Sequence, residues 1–582
     1  MPGRVYRSEH ARRTGGAARP PDAAMPSGAG PLPPRVTGAP PPPEESGSAA
    51  GNSAVMALGS LVSRLTGFLR SVIIAAALGS TLVGNSYTTA QYFPGMVYEL
   101  LLGGILTSVL VPVLVRARKA DADSGEAYTQ RLVSLAVLAL GATTVLAVAC
   151  APLLAFLVTD APDQRGLVTA LSYLILPTIF FYGMAGLLTA VLNTRGHFAA
   201  PMWAPILNNL VVIGTFSLYL LIFGPEPITA DQMSAGKILL AGGGTLLGIV
   251  VQAAGLAPAL RRVGFRWRWR SDFSALRLRE LGRLGAWMFC YVAVNQVAVV
   301  VVMRLLNRAS SDPDNSGLLI FNNTYLLMMM AHGIVGVSII MALMPRLSAA
   351  AADGRSGDLI DDVVKGARMI TAVLAPIAVA YAVLAMPISV TLFQFGAFDG
   401  TAAAGMAPVL LVTGLALVPF AISQLATFAF YAMPDTRTPA LVNIGVVAVR
   451  IGLQVGLFAL LAAGFAAAGM VIGNGVSYLV AAVAMGVLLR RRLGPLGLRP
   501  AAISLVRVAV AAAGAAAAGL LVTMALASLL PGGDEPTKVA ALIQLVAGGL
   551  VICGAYLGLA KLLRVGEVDE VLGLVRAKLL RR

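Results

Sequence analysis

The stretch SAVMALGSLVSRLTGFLRSVIIAAAL, residues 53–78, decides how the rest of the chain is read. It exceeds the roughly 20 apolar residues that a helix needs to cross a bilayer core. Yet it carries Arg64 and Arg70. A guanidinium at mid-membrane costs roughly 3 kcal/mol or more unless it faces protein or water, so the pair reads as the lining of a cavity. The bland alternative is snorkelling to a headgroup, and the depth of Arg64 in the segment weighs against it. Six residues of helix put the two arginines roughly 9 Å apart in depth and about 120° apart around the axis. They share no narrow stripe, but long side chains reach a common cavity, and Gly67 between them permits a kink or close approach.

The totals agree with a membrane reading. Of 582 residues, 58% are hydrophobic and 12% charged, with mean hydropathy +0.82, which excludes a soluble globular surface. Apolar segments long enough to span recur at 53–78, 86–115, 132–158, 166–192, 201–223, 238–260, 284–306, 318–344, 367–394, 402–432, 438–463, 466–489, 502–530 and 537–563. The expected fold is therefore an all-α polytopic membrane protein with 14 transmembrane helices. The second segment is too long for one straight span, so a bend near Pro94 or Pro112 is expected. With the N-terminus placed in the cytoplasm, 34 of the 43 Lys and Arg fall on the inner side, 4 on the outer side and 5 within spans. That asymmetry is what the positive-inside rule demands, and it places both termini in the cytoplasm. The net charge of +16 then reflects topology and anionic lipid rather than nucleic acid.

Six divisions follow. Residues 1–50 hold eleven of the 33 prolines and read as a disordered cytoplasmic tail. Residues 51–260 and 284–492 each supply six spans, joined by a basic interfacial linker at 261–283 that contains Arg-Trp-Arg-Trp-Arg at 266–270. Residues 493–565 add two helices, and 566–582 form a cytoplasmic tail. An internal echo supports the two sets of six. Gly104 to Pro112 resembles Val337 to Pro345, and Asn193-Thr194-Arg195 with Pro201 resembles Asp435-Thr436-Arg437 with Pro439. Both shifts equal six helices, which makes the sets parallel repeats about the membrane normal, with two C-terminal helices added.

No nucleotide loop, HExxH or nucleophile elbow is present, so the chain reads as a non-enzyme without cofactor. Cys150, Cys290 and Cys553 and the three histidines lack metal spacing. His332, mid-span, reads as a satisfied core residue or a titrating one. Glu99 is the one carboxylate deep in a span and is expected to pair with Arg64 or Arg70, or to carry a proton. Arg450 is deep as well, with Gln454 one turn on, while Arg304 and Arg507 lie nearer segment ends, where snorkelling is expected. Buried amides such as Asn85, Asn295, Gln296 and Asn474 serve as interhelical glue or line the cavity. A span charge of five Arg against one Glu suits an anionic ligand, and the guanidinium fork suits phosphate.

The motifs also carry a resemblance. Ser63-Arg64-Leu65-Thr66-Gly67-Phe68-Leu69-Arg70 is similar to the first-helix S-R-x-x-G-F-x-R pattern of the MviN/MurJ lipid II flippases, within the MATE-like exporter superfamily. Leu192-Asn193-Thr194-Arg195-Gly196-His197-Phe198 and Asp435-Thr436-Arg437-Thr438-Pro439 resemble that family's helix 4–5 and 10–11 junctions. The resemblance implies alternating access that moves lipid II, an undecaprenyl-pyrophosphate-linked muropeptide, from the inner to the outer leaflet of a bacterial plasma membrane. It implies substrate-binding roles for Arg64 and Arg70, with Asn85 and Glu99 beside them, and a lipid-tail groove on the last two helices. Membrane lipids and cell-wall synthesis or division proteins are the implied partners. The chain departs from the family in lacking cavity arginines in helices 2 and 8. Where some members bind sodium in helix 11, it has Arg450 and Gln454, expected to act as a built-in cation in place of the ion. The alternatives are an exporter of another lipid-linked oligosaccharide, a MATE-like drug antiporter, and a membrane scaffold of the cell-wall machinery.

Overall fold

Long apolar runs must satisfy their backbone groups internally when water is excluded, and here they do so as helices throughout. The computed structural model describes residues 46–100, 114, 123, 125–225, 229–273, 278–309, 317–495, 497–532, 536–570 and 573. The chain divides into a unit at Met1–Gly51, described only over the helical residues 46–51, and a unit at Asn52–Arg582.

The N-terminal half comprises α1 (Ser46–Leu78), α2 (Leu82–Tyr98), α3 (Glu126–Ala149), α4 (Ala151–Val158), α5 (Pro162–Ile175), α6 (Thr178–Thr194), α7 (Ala199–Phe223), α8 (Ala235–Ala254) and α9 (Ala257–Arg262). The C-terminal half comprises α10 (Leu278–Ala309), α11 (Leu318–Ile334), α12 (Gly336–Ala352), α13 (Ser356–Val383), α14 (Ala385–Phe393), α15 (Gly400–Ala432), α16 (Arg437–Leu460), α17 (Ala466–Leu493), α18 (Leu498–Leu529) and α19 (Lys538–Leu562). Twelve of the resulting runs are long and apolar enough to cross a membrane, and α5–α6, bent by 41° at Leu176–Pro177, makes a thirteenth if counted as one span. The second of the 14 expected spans is described only to Leu100 and at Leu114, so its remainder and Pro112 lie outside the described residues. Pro94 sits inside α2 without ending it, and a wider π turn follows at Glu99–Leu100.

Two expected spans are each split into a long and a short helix. One breaks at Cys150 between α3 and α4, the other at Leu384 between α13 and α14. Pro152 and Pro387 sit in the first turn of the short helices, where a missing N–H costs nothing. The linker carries no helix over 266–272, where it is pinned by Gln130 Nε2 to the Arg266 carbonyl (2.8 Å) and by Arg131 to Asp272 (2.6 Å). The Arg131 guanidinium lowers the Asp272 carboxyl below the usual carboxylate range.

Loops gather at two ends. Around Gly79 the two halves meet directly. The Ala397 N–H donates to the Ala76 carbonyl at 2.8 Å, and Asn307 donates to Thr89 and to the Val158 carbonyl. Asn307 also accepts from Gln164 at 3.1 Å. Arg304, expected to snorkel, instead pairs with Asp160 (2.7 Å) and donates to the Leu157 carbonyl. The largest core cluster spans both halves here, with Val72, Phe93 and Val158 beside Leu306, Leu318 and Phe393. At the opposite end, Arg131–Asp272 ties the N-terminal half to the linker, and the other ion pairs described stay within one half. Arg346 meets Asp362 (2.6 Å), Arg492 meets Asp435 (2.5 Å), and Arg368 meets Glu567. Arg507 reaches the Arg564 carbonyl at 3.2 Å.

Candidate functional site

Measured along their helices from the Gly79 end, Arg64, Glu99, Gln296, Gly333 and Arg450 all lie roughly 15–26 Å in. They form one polar layer between the two ends.

Arg64 crosses from α1 to α11. A Cβ built on Gly333 would lie 2.2 Å from its Nη1, 2.7 Å from Nη2 and 2.8 Å from Cζ, so only glycine leaves this seat open. Beside it, His332 is 6% exposed and packs edge-on against Phe420, with ring centroids 4.7 Å apart. Its Nδ1 is buried without a partner among the described residues. Arg70, one and a half turns nearer the Gly79 end, lies in the field of Tyr87 and Tyr182, and its Nε is buried without an acceptor. Among the described residues neither guanidinium has a carboxylate partner or a hydrogen-bond acceptor. Two cations are thus held at depth with their bonding capacity unspent.

Glu99 does not pair with either arginine. Gln296 of α10 donates to its Oε2 at 2.7 Å, and its side chain is otherwise exposed. A neighbouring amide on another helix meets this carboxylate in place of a guanidinium. Asn85, expected near the ligand, is fully buried. Its Nδ2 donates to the Ser80 carbonyl (2.9 Å), and its Oδ1 accepts the Leu319 N–H (2.9 Å) at the start of α11. It caps a helix across the two halves.

Arg450 and Gln454 face different neighbours. Arg450 donates to Asn295 Oδ1 at 3.2 Å and leaves Nε buried and unpartnered. Gln454 is fully buried and donates to the Met470 carbonyl and to Asn474, both at 3.1 Å, on α17. One helical turn places both on one face, but α10 and α17 flank that face from opposite sides. The two residues therefore do not converge on one ion-sized site, and among the described residues no group of three or more His, Cys, Asp or Glu could hold a metal.

Gly333 escaped sequence reasoning, because a glycine in an apolar helix has many explanations. The seal made by Asn307, Thr89 and Gln164 escaped it too, since it joins positions 143 and 218 residues apart.

A family model described as lipid II flippase MurJ matches residues 74–532. The chain is 26% identical to the lipid II flippase MurJ of Burkholderia cenocepacia over 400 residues, 67% of this chain and 74% of that protein. It is 24% identical to the probable lipid II flippase MurJ of Rhizobium tropici over 439 residues, 74% and 79% of the two chains. A solved structure described as lipid II flippase MurJ in an inward closed conformation superposes with TM-score 0.67 at 16% identity, over 87% of this chain and 99% of that one. An inward-facing MATE-family multidrug resistance transporter superposes with TM-score 0.57 at 16% identity, over 75% and 96%. These structures speak for the fold alone. Arg64 and Arg70 precede the matched stretch, so their reading rests on the local geometry.

Proposed function

The chain belongs to the lipid II flippase MurJ family, and from that premise we propose that Arg64 and Arg70 hold the diphosphate of lipid II while the protein carries it from the inner to the outer leaflet. The chain is a multi-pass membrane protein and a transporter by family, acting in peptidoglycan synthesis. The observation that carries the binding role is the pair of deep guanidinium groups without acceptors among the described residues, next to a closed end at Gly79. Charge-assisted, bidentate contacts to phosphate are the strongest hydrogen bonds that such groups make. Their lack of protein partners leaves that capacity to a ligand.

The orientation in this reading follows the basic residues. The Gly79 end is outward and closed, and the end with Arg346, Arg368 and Arg492 is inward. Residues 51–260 and 284–492 act as the two moving lobes, with 261–283 between them. Asn85 serves through its cap on α11, holding that helix at the closed end rather than touching the ligand. Arg450 supplies a fixed positive charge, which makes transport independent of sodium. The last two spans, α18 and α19, are tied to α13 by Tyr556, whose hydroxyl donates to the Ala372 carbonyl at 2.7 Å, and they offer the lipid tail a flank. A cation antiporter would want acidic groups at this depth, and only Glu99 is there among the described spans.

The test is complementation of a flippase-depleted strain, with membrane levels checked. Wild type restores growth, and Arg64→Ala and Arg70→Ala each fail. If both alanine variants support growth while deletion of residues 1–50 does not, the chain acts as a scaffold for cell-wall proteins and the transport reading falls.

A further inference from the structure

Beyond the diphosphate site, the same polar layer holds two opposite charges that do not meet. Asn295 and Gln296 are successive residues of α10, with Cα atoms about 3.8 Å apart and side chains turned about 100° from one another. Asn295 takes the guanidinium of Arg450 at 3.2 Å, and Gln296 takes the carboxylate of Glu99 at 2.7 Å. One helix therefore separates an anion of the N-terminal half from a cation of the C-terminal half, and no ion pair forms between them among the described residues.

Both charges keep unused bonding capacity. Glu99 Oε1 has no donor among the described residues, and its side chain is exposed. Arg450 makes a single hydrogen bond, and its Nε is buried without an acceptor. Gln296, 6% exposed, leaves Oε1 unpartnered as well. Tyr325, 37% exposed and stacked on Phe321 at 6.5 Å and 10°, lies in the field of both Glu99 and Arg450. Tyr92 and Tyr98 lie in the field of Glu99, and Tyr291 and Tyr478 in that of Arg450. Aromatic faces beside a carboxylate suit an ammonium, and a guanidinium among phenols suits a carboxylate.

We propose that Glu99 and Arg450, held by the successive amides Gln296 and Asn295, form a cradle for the zwitterionic peptide of the transported headgroup, whose ammonium and carboxylate can lie apart. Glu99 takes its ammonium and Arg450 its carboxylate. The proposal rests on the flippase reading and adds a specificity element to it. Arg64 and Arg70 hold the diphosphate, which every lipid-linked sugar of this class carries, whereas the cradle reads the peptide. It also accounts for the unpaired Glu99, since a lone carboxylate in a layer of arginines works against a purely anionic ligand.

The experiment measures binding to the full chain in neutral-lipid nanodiscs with three probes. These are the undecaprenyl-diphosphate disaccharide with its peptide intact, the same lipid with the peptide removed, and the peptide form with its free amine acetylated. Wild type is expected to bind the intact form about tenfold more tightly than the peptide-free form. Glu99→Gln and Arg450→Gln shrink that preference to less than threefold, and acetylating the amine makes Glu99→Gln add no further loss. Arg450→Lys, which keeps the charge, retains part of the preference and guards against a folding defect. Equal weakening toward all three probes in both variants overturns the cradle and points to Glu99 and Arg450 closing on each other in another state. Wild type that binds all three probes alike also overturns it. Wild type that binds none of them overturns the flippase reading beneath it.

Discussion

The two ends of the bundle are held together by different chemistry. At the Gly79 end the halves touch mostly through backbone groups and neutral amides, with Ala397 on Ala76, Asn85 on Leu319, and Asn307 on Thr89 and Val158, and through one ion pair, Arg304–Asp160, whose half-exposed side chains are screened by solvent. At the opposite end three described ion pairs (Arg346–Asp362, Arg492–Asp435, Arg368–Glu567) each join segments of one half. The difference is physical. A neutral hydrogen bond nets about 1 kcal/mol and leaves no stranded charge when it breaks, so a contact built from several can open and reform. Splitting a partly buried ion pair strands a charge and costs more, so such pairs suit joints that stay together. The Gly79 end is built to part, and the other end is built to hold each half rigid.

The strongest way to break this comparison is to lock the neutral end. A Cβ on Gly79 would lie 3.4 Å from the Ala397 Cβ, close to disulfide spacing. Gly79→Cys with Ala397→Cys, oxidised, is expected to abolish growth support almost completely and to recover it on reduction. Normal transport by the oxidised pair would show that this end need not open. Next in size is Gly333→Ala, whose new methyl must displace the Arg64 guanidinium. The expected result is a roughly tenfold loss of headgroup affinity, about 1.4 kcal/mol, with little change in thermal unfolding. Restoration of binding by a concurrent Arg64→Lys sharpens the assignment to the seat. Asn85→Ala comes third. It orphans the buried Leu319 N–H, so unfolding in detergent should show a loss of about 1–2 kcal/mol.

The smallest effect belongs to the ion-paired end. Burial would raise the Asp435 carboxyl, but the Thr438 N–H and hydroxyl together with Arg492 outweigh it and hold the group below the usual carboxylate range. A depressed native pKa stabilises above the unfolded value, near 4, and the benefit fades as pH falls through the native one. Asp435→Asn should therefore cost about 1 kcal/mol or less at pH 7, since Arg492 is 48% exposed, and the gap from wild type should narrow below about pH 4 in thermal melts. A gap that widens on acidification would remove Asp435 as an anchor of this end.

The two arginines of the first span are legible in the sequence alone, because an unneeded charge in a hydrocarbon layer is rare and costly. So is the positive layer, from five arginines against Glu99. The partners of those charges are not legible there. Glu99 pairs with Gln296 rather than with Arg64, since residues 197 apart happen to share a depth. Asn85 reads as a cavity amide and proves to be a helix cap, because an amide side chain takes whichever unsatisfied N–H packs against it, and sequence does not say which that is. Arg450 and Gln454 share a helical face, yet α10 and α17 divide it between them.

By itself the sequence determined that the chain crosses a membrane many times, roughly where each crossing lies, and that guanidinium groups sit at depth. These follow from the local cost of putting polar groups in hydrocarbon, which each segment must meet on its own. Only the tertiary structure decided which end is closed, which glycine seats Arg64 and which charges stay apart. Those outcomes depend on side chains hundreds of residues apart arriving at one depth, and close packing admits only the neighbours that fit.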